Sequence, residues 1–157
     1  MGIEIERKFL VAGDAWKHQA SGVRYRQGYL TRSPAVTVRI RLVGEVGYLT
    51  VKGPVVNLTR PEYEYEIPGE DARQMLRHWC RDQIIEKNRY RIPFAGLIWE
   101  VDEFLGPNQG LILAEVELSD PAQPVDLPSW VDQEVSGDNR YYNSYLVQHP
   151  YTTWNRP

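Results

Sequence analysis

Sulfur chemistry is almost absent from this chain of 157 residues: it has one cysteine, Cys80. A single thiol excludes an internal disulfide and suits a reducing cytoplasm. No apolar run approaches the roughly 20 residues that cross a bilayer. No basic segment followed by an apolar stretch opens the chain, so no secretory signal is expected. Charge of either sign is in little surplus, 18 basic against 21 acidic residues for a net −3. A nucleic-acid binder usually carries a basic excess, so that class is disfavoured. His18, His78 and His149 show no metal-ligand spacing, and surface or helix-end roles are expected for them. Internal repeats, low-complexity tracts and long linkers are also missing. One domain over residues 1–157 is the expectation.

What is present is alternation. In "EIERK", Glu4, Glu6 and Lys8 fall on one face of an extended chain, with Ile3, Ile5 and Phe9 near the other. The pattern recurs along the chain. Arg39 and Arg41 share a face in "VTVRIRL", as do Tyr48, Thr50 and Lys52 in "YLTVK". Glu62, Glu64 and Glu66 align in "EYEYE", and Lys87, Arg89 and Arg91 in "EKNRYR". Glu100 and Asp102 align in "WEVDEF", and Glu115 and Glu117 in "AEVEL". Turn signals separate these runs, including Ser33-Pro34, Gly44 to Gly47 and Pro93 to Gly96.

The count is about eight strands, so the expected fold is mainly β: an antiparallel barrel with a few flanking helices. One clear helix is predicted over Glu70 to Asp82, with Ala72, Met75, Leu76, Trp79 and Cys80 on its apolar stripe. Cys80 is then a core residue. Shorter helices are predicted from Gly13 to Gln19 and after Asp138. The tail from Asp120 reads as turns, and "YTTWNRP" has no evident partner.

A solvated sheet face would explain any one of these strands. It explains the set poorly, because like charges about 7 Å apart repel. A ligand explains it better. Polyphosphate oxygens need several cations, with Arg matched to their forked geometry. A divalent metal needs clustered carboxylates. Buried ion pairs alone seldom add net stability.

The "EIERKFL" stretch carries an ExExK signature that resembles the CYTH superfamily, the triphosphate tunnel metalloenzymes. "RQGYL", "VRIR", "TVKG", "EYEYEI", "EKNRYR", "WEVDEF", "AEVEL" and "VSGDNRYYNSYL" are similar to its successive strands and closing helix, in order. The set looks most like the small bacterial inorganic triphosphatases. The resemblance implies an eight-stranded tunnel that hydrolyses the terminal phosphate of a triphosphate, foremost inorganic tripolyphosphate, with Mg²⁺ or Mn²⁺. It implies Glu4, Glu6, Glu115 and Glu117 as metal ligands, with Asp102 near the metals. Lys8, Arg39, Arg41, Lys52, Lys87 and Arg89 would grip phosphate, and Lys8, Lys52, Arg39 and Arg41 are the catalytic candidates. Glu62 and Glu64 would orient cations or help with a second metal. Tyr29 and Gln27 would face the tunnel, and "YYNSYL" would border or plug one mouth.

Three alternatives accompany this reading. A class IV adenylate cyclase is disfavoured, since a His-Phe pair expected before ExExK has no room here. A thiamine or nucleoside triphosphatase would need an aromatic platform, for which Trp16, Trp130 or Trp154 are candidates. A pure polyphosphate binder would lack the acidic set. Partners are otherwise a small-molecule triphosphate only, with no nucleic acid or membrane, in the cytoplasm.

Overall fold

The computed structural model describes residues 2–33 and 35–154. Nine antiparallel strands form one sheet: β1 (Gly2–Val11), β2 (Val23–Arg32), β3 (Thr37–Val43), β4 (Val46–Lys52), β5 (Thr59–Pro68), β6 (Ile84–Phe94), β7 (Leu97–Phe104), β8 (Ile112–Glu117) and β9 (Val131–Glu134). The order is β5-β4-β3-β2-β6-β7-β8-β1, and β1 returns to β5 to close an eight-stranded barrel. β1 makes closure possible by dividing its length. Gly2 to Ile5 pair with β5, Glu6 to Leu10 with β8, and Phe9 and Val11 also meet β9 on the free edge beyond β5. Closure removes the exposed edges that invite aggregation.

The alternation puts charge inside, so the apolar faces point outward and need cover. Three elements supply it. Trp16, on a single 3₁₀ turn (Ala15–His18), and Trp130 pack with Phe9, Trp99, Val101, Ala114 and Val116 over β1, β7 and β8. Helix α1 (Gly69–Met75) continues as a π turn (Leu76–Cys80) and lays Ala72, Leu76 and Cys80 on Ile40. Two glycines admit it. A Cβ on Gly28 would sit 2.6 Å from the Cys80 Cβ, and one on Gly47 2.7 Å from the Ala72 Cβ.

Barrel and helix follow the sequence, with differences in detail. The Gly13 to Gln19 helix is reduced to the one 3₁₀ turn, in which Trp16 donates to the Gly13 carbonyl at 2.9 Å. The main helix does not run on as α to Asp82. Its Arg81 N–H reaches back to the Leu76 carbonyl, an i→i+5 bond. That wider turn keeps residues four apart on one face, so Trp79 swings out to 67% exposure instead of joining the stripe. The turn-rich tail contains β9, which the sequence reading missed. After Asp138 come a 3₁₀ turn (Asn139–Tyr141) and the short α2 (Asn143–Leu146). In the tail expected without partners, Trp154 packs on Tyr141, Tyr145 and Tyr151, and Thr152 donates to the Pro107 carbonyl. Pro34 of the Ser33-Pro34 break and Asn155 to Pro157 of "YTTWNRP" lie outside the described residues.

The inward rows change character along the barrel. Lys8 is followed inward by Leu10, Lys87 is preceded by Ile85, Asp102 is followed by Phe104, and Glu115 is preceded by Leu113. These apolar residues close one end, sealed by Val135 and the fully buried Leu146 of α2. The charged half opens at the other end as a cup.

Candidate active site

Both signs of charge meet in a cavity of about 360 Å³. β1 contributes Glu4, Glu6 and Lys8, β3 contributes Arg39 and Arg41, and β4 and β5 contribute Lys52, Arg60, Glu62 and Glu64. Lys87, Arg89, Arg91, Glu100, Glu115 and Glu117 line it from β6, β7 and β8, and Tyr29 from β2. Of the residues expected from sequence, Asp102 and Gln27 are absent from this lining; Gln27 is completely buried behind it.

Asp102 lies behind the wall, 1% exposed, with its oxygens committed to Arg89 and Lys87. Burial raises its carboxyl, but the Arg89 and Lys87 charges outweigh that and hold it below the usual carboxylate range. Its oxygens therefore serve as counter-ions to two cations, with Glu115 near enough to be felt. Sequence alternation placed it on the inward face but could not say how deep.

The acidic pole gathers Glu4, Glu6 and Glu115, with Glu117 more exposed at the rim. Lys52 Nζ lies 3.1 Å from Glu4 and 3.2 Å from Glu62. Lys8 Nζ lies 3.4 Å from Glu115 and donates to the Tyr141 carbonyl at 3.1 Å. Glu6 has no ion pair among the described residues. Burial, then Glu115 and Glu4, drive its carboxyl well above the ordinary range. Crowded hard-oxygen donors of this kind suit a divalent cation, which would relieve their repulsion. Among the described residues, no three of them already converge as a finished cage.

The basic pole holds Arg39, Arg41, Lys87 and Arg89. Arg39 Nη2 reaches Thr50 at 3.2 Å and Glu64 at 3.3 Å. Its Nε is buried with no acceptor. Arg41 has no carboxylate partner among the described residues. Its Nε donates to Gln27 Oε1 at 2.9 Å, and its guanidinium lies 5.0 Å from the Tyr25 ring, whose neighbour Arg89 is 4.9 Å away. Burial, then Arg39 and Arg89, push Arg41 down to about 9. Burial lowers Lys87 to about 7 despite Asp102. Both shifts come from burial and from neighbouring cations, with Lys87 sharing the Asp102 carboxylate with Arg89; a cluster of this kind suits an anion.

Arg60, Tyr25, Arg91, Glu100, Tyr142 and Asn143 also line the cavity and were not named as site residues. Arg60 was legible. It shares the inward face with Glu62 and Glu64, but Pro61 made the strand look as though it began later. Trp16 and Trp130 are buried in the outer core and cannot serve as a platform for an organic group.

A family model described as the CYTH domain matches residues 2–142. The chain belongs to the CYTH family, a group of metalloenzymes. It is 52% identical over 151 residues to an inorganic triphosphatase of Acetivibrio thermocellus, covering 96% of this chain and 97% of that one. It is 39% identical over 153 residues to an inorganic triphosphatase of Nitrosomonas europaea, covering 92% and 96%. A crystal structure of an inorganic triphosphatase superposes with a TM-score of 0.66 at 36% identity, over 92% of this chain and 93% of that one. A putative adenylate cyclase from Bacillus halodurans shares the fold at TM-score 0.59 and 20% identity, covering 77% and 84%.

Proposed function

We propose that this protein hydrolyses the terminal phosphoanhydride of a triphosphate, with inorganic tripolyphosphate as the preferred substrate. The observation that carries the reading is the Arg39–Arg41 pair. Among the described residues, one guanidinium Nε is buried without an acceptor and the other arginine forms no ion pair, and both face an acidic pole across the same cavity. The names of the relatives point the same way.

In this reading the phosphate chain lies along the basic pole. Arg39, Arg41, Lys87 and Arg89 take its oxygens, and Lys8 and Lys52 reach it between the poles as charged clamps. These cations offset the charge that builds on the transferring phosphoryl group. Glu4, Glu6, Glu115 and Glu117 would hold Mg²⁺ or Mn²⁺, which when bound would supply positive charge to the phosphate oxygens and acidify the attacking water. Water adds to the terminal phosphorus as its bond to the bridging oxygen breaks, so pyrophosphate leaves, orthophosphate forms and one proton is released. Glu62 and Glu64 keep Lys52 and Arg39 aimed inward. Asp102 fixes Lys87 and Arg89 from behind. The chain acts as a single domain. No helix among the described residues is long and apolar enough to cross a membrane, and the lone buried Cys80 suits the cytoplasm.

The test is release of phosphate from tripolyphosphate, ATP and thiamine triphosphate, each with Mg²⁺, Mn²⁺ or chelator. Metal-dependent cleavage with tripolyphosphate ahead is expected. Cyclic AMP and pyrophosphate from ATP, with no hydrolysis, would overturn the reading.

A further inference from the structure

Two cations of the basic pole are joined through neutral amides. Arg41 Nε donates to Gln27 Oε1 at 2.9 Å, Gln27 Nε2 donates to Asn143 Oδ1 at 3.2 Å, and Lys87 Nζ donates to the same oxygen at 2.8 Å. Gln27 is completely buried. The polarity of the chain is forced. Arg and Lys can only donate, so each amide must turn its oxygen to a cation, and Gln27 must offer its NH₂ to Asn143. Carboxylates at either position would hold the cations as firmly and neutralise them. Lys52, held between Glu4 and Glu62, is the contrasting case in the same cavity.

We propose that Gln27 and Asn143 are positioning residues that aim Arg41 and Lys87 into the cavity without adding negative charge to a pole where Lys87 already shares the Asp102 carboxylate with Arg89. Asn143 belongs to the C-terminal segment, which also holds Lys8 through the Tyr141 carbonyl. That segment therefore sets the reach of two lysines from separate strands, and the basic pole is incomplete without it. The inference rests on the triphosphatase reading and adds residues that act through the cations, not on the substrate.

The decisive variants change charge with almost no change in shape. Asn143→Asp keeps both acceptor bonds but adds a counter-charge beside Lys87. Gln27→Glu places one beside Arg41. Asn143→Ala removes the bonds and adds no charge. Steady-state hydrolysis of tripolyphosphate with Mg²⁺ and thermal unfolding are measured for all of them and the wild type. Asn143→Asp is expected to keep the wild-type unfolding midpoint yet raise KM about tenfold or more, equivalent to about 1.4 kcal/mol, with kcat much less affected. Gln27→Glu should raise KM likewise, with a lower unfolding midpoint because its carboxylate cannot donate to Asn143 Oδ1, and it decides the matter if Asn143→Asp does not fold. Wild-type KM in both carboxylate variants, with Asn143→Ala impaired, would make the amides simple structural tethers and overturn the proposal. A wild-type protein that leaves tripolyphosphate intact would instead remove the triphosphatase reading, and this inference with it.

Discussion

Arg89 and Asp102 stand directly opposite one another on β6 and β7 and share two hydrogen bonds, Nε to Oδ1 at 2.7 Å and Nη2 to Oδ2 at 2.9 Å. Lys87 Nζ lies 2.7 Å from the same Oδ2. One buried carboxylate thus serves two buried cations. Asp102→Ala leaves both uncompensated and should cost about 3–5 kcal/mol of stability, the range for breaking a buried pair. Chemical denaturation measures this, and a loss below about 1 kcal/mol would show that solvent or Glu100 replaces Asp102.

Arg39 offers an Nε that no group among the described residues uses. Arg39→Lys preserves the charge but removes that donor and the fork. KM for tripolyphosphate should rise about tenfold or more, as expected for one charge-assisted hydrogen bond. A lysine variant with wild-type KM would mean charge alone is read at this position.

Glu6 faces Glu4 and Glu115 and forms no ion pair among the described residues, and the nearby Lys8 and Lys52 do not outweigh the two carboxylates and burial. Glu6→Gln should lower turnover about a hundredfold or more, the scale of losing one electrostatic element of a site. In chelator it should raise the thermal midpoint by about 2–4 °C, the equivalent of about 1 kcal/mol in a chain of this size. Opposite signs for activity and stability are the signature of a group kept for a ligand; a fall in both would make Glu6 structural.

Burial lowers the Lys87 ammonium to about 7 in the folded protein, against an ordinary value of 10.5. Between those values the unfolded chain binds more protons, so this lysine's contribution to stability rises with pH across that window. Phosphate favours the charged form. Tripolyphosphate binding near pH 8 should therefore take up protons and weaken as pH rises. Calorimetry in buffers of different ionisation heat detects the uptake, and Lys87→Met should reduce it. Equal uptake by the variant would assign the protons to another group.

On the outer face, Leu76 is 1% exposed and Trp79 67%. Leu76→Ala should cost about 2–5 kcal/mol, whereas Trp79→Gln should stay within about 0.5 kcal/mol. Comparable losses in a urea titration would mean that the helix sits differently on the barrel.

The inward rows were readable because strand alternation is local: Arg39 and Arg41 share a face whatever the rest of the chain does. The same locality explains the errors. The stripe assumed one helical period, and the i→i+5 turn that expels Trp79 is imposed by packing on Gly28 and Ile40. β9 is only four residues long and finds its pairing on β1, more than a hundred residues away in sequence. Arg60 was hidden by Pro61, which an edge or barrel position tolerates when its missing N–H is not needed.

By itself the sequence determined the chemistry of the lumen, its segregated cations and carboxylates, and the antiparallel pairing of the strands that carry them. Tertiary structure alone decided which charges cancel and which remain. Asp102 became a counter-ion because register puts it opposite Arg89, and Arg41 kept its charge because its buried neighbour is Gln27. The end of the cup is sealed because α2 returns from the far end of the chain to bury Leu146 on Phe104 and Ile85. Such partnerships depend on depth and on contacts distant in sequence, and no periodicity along a strand encodes either.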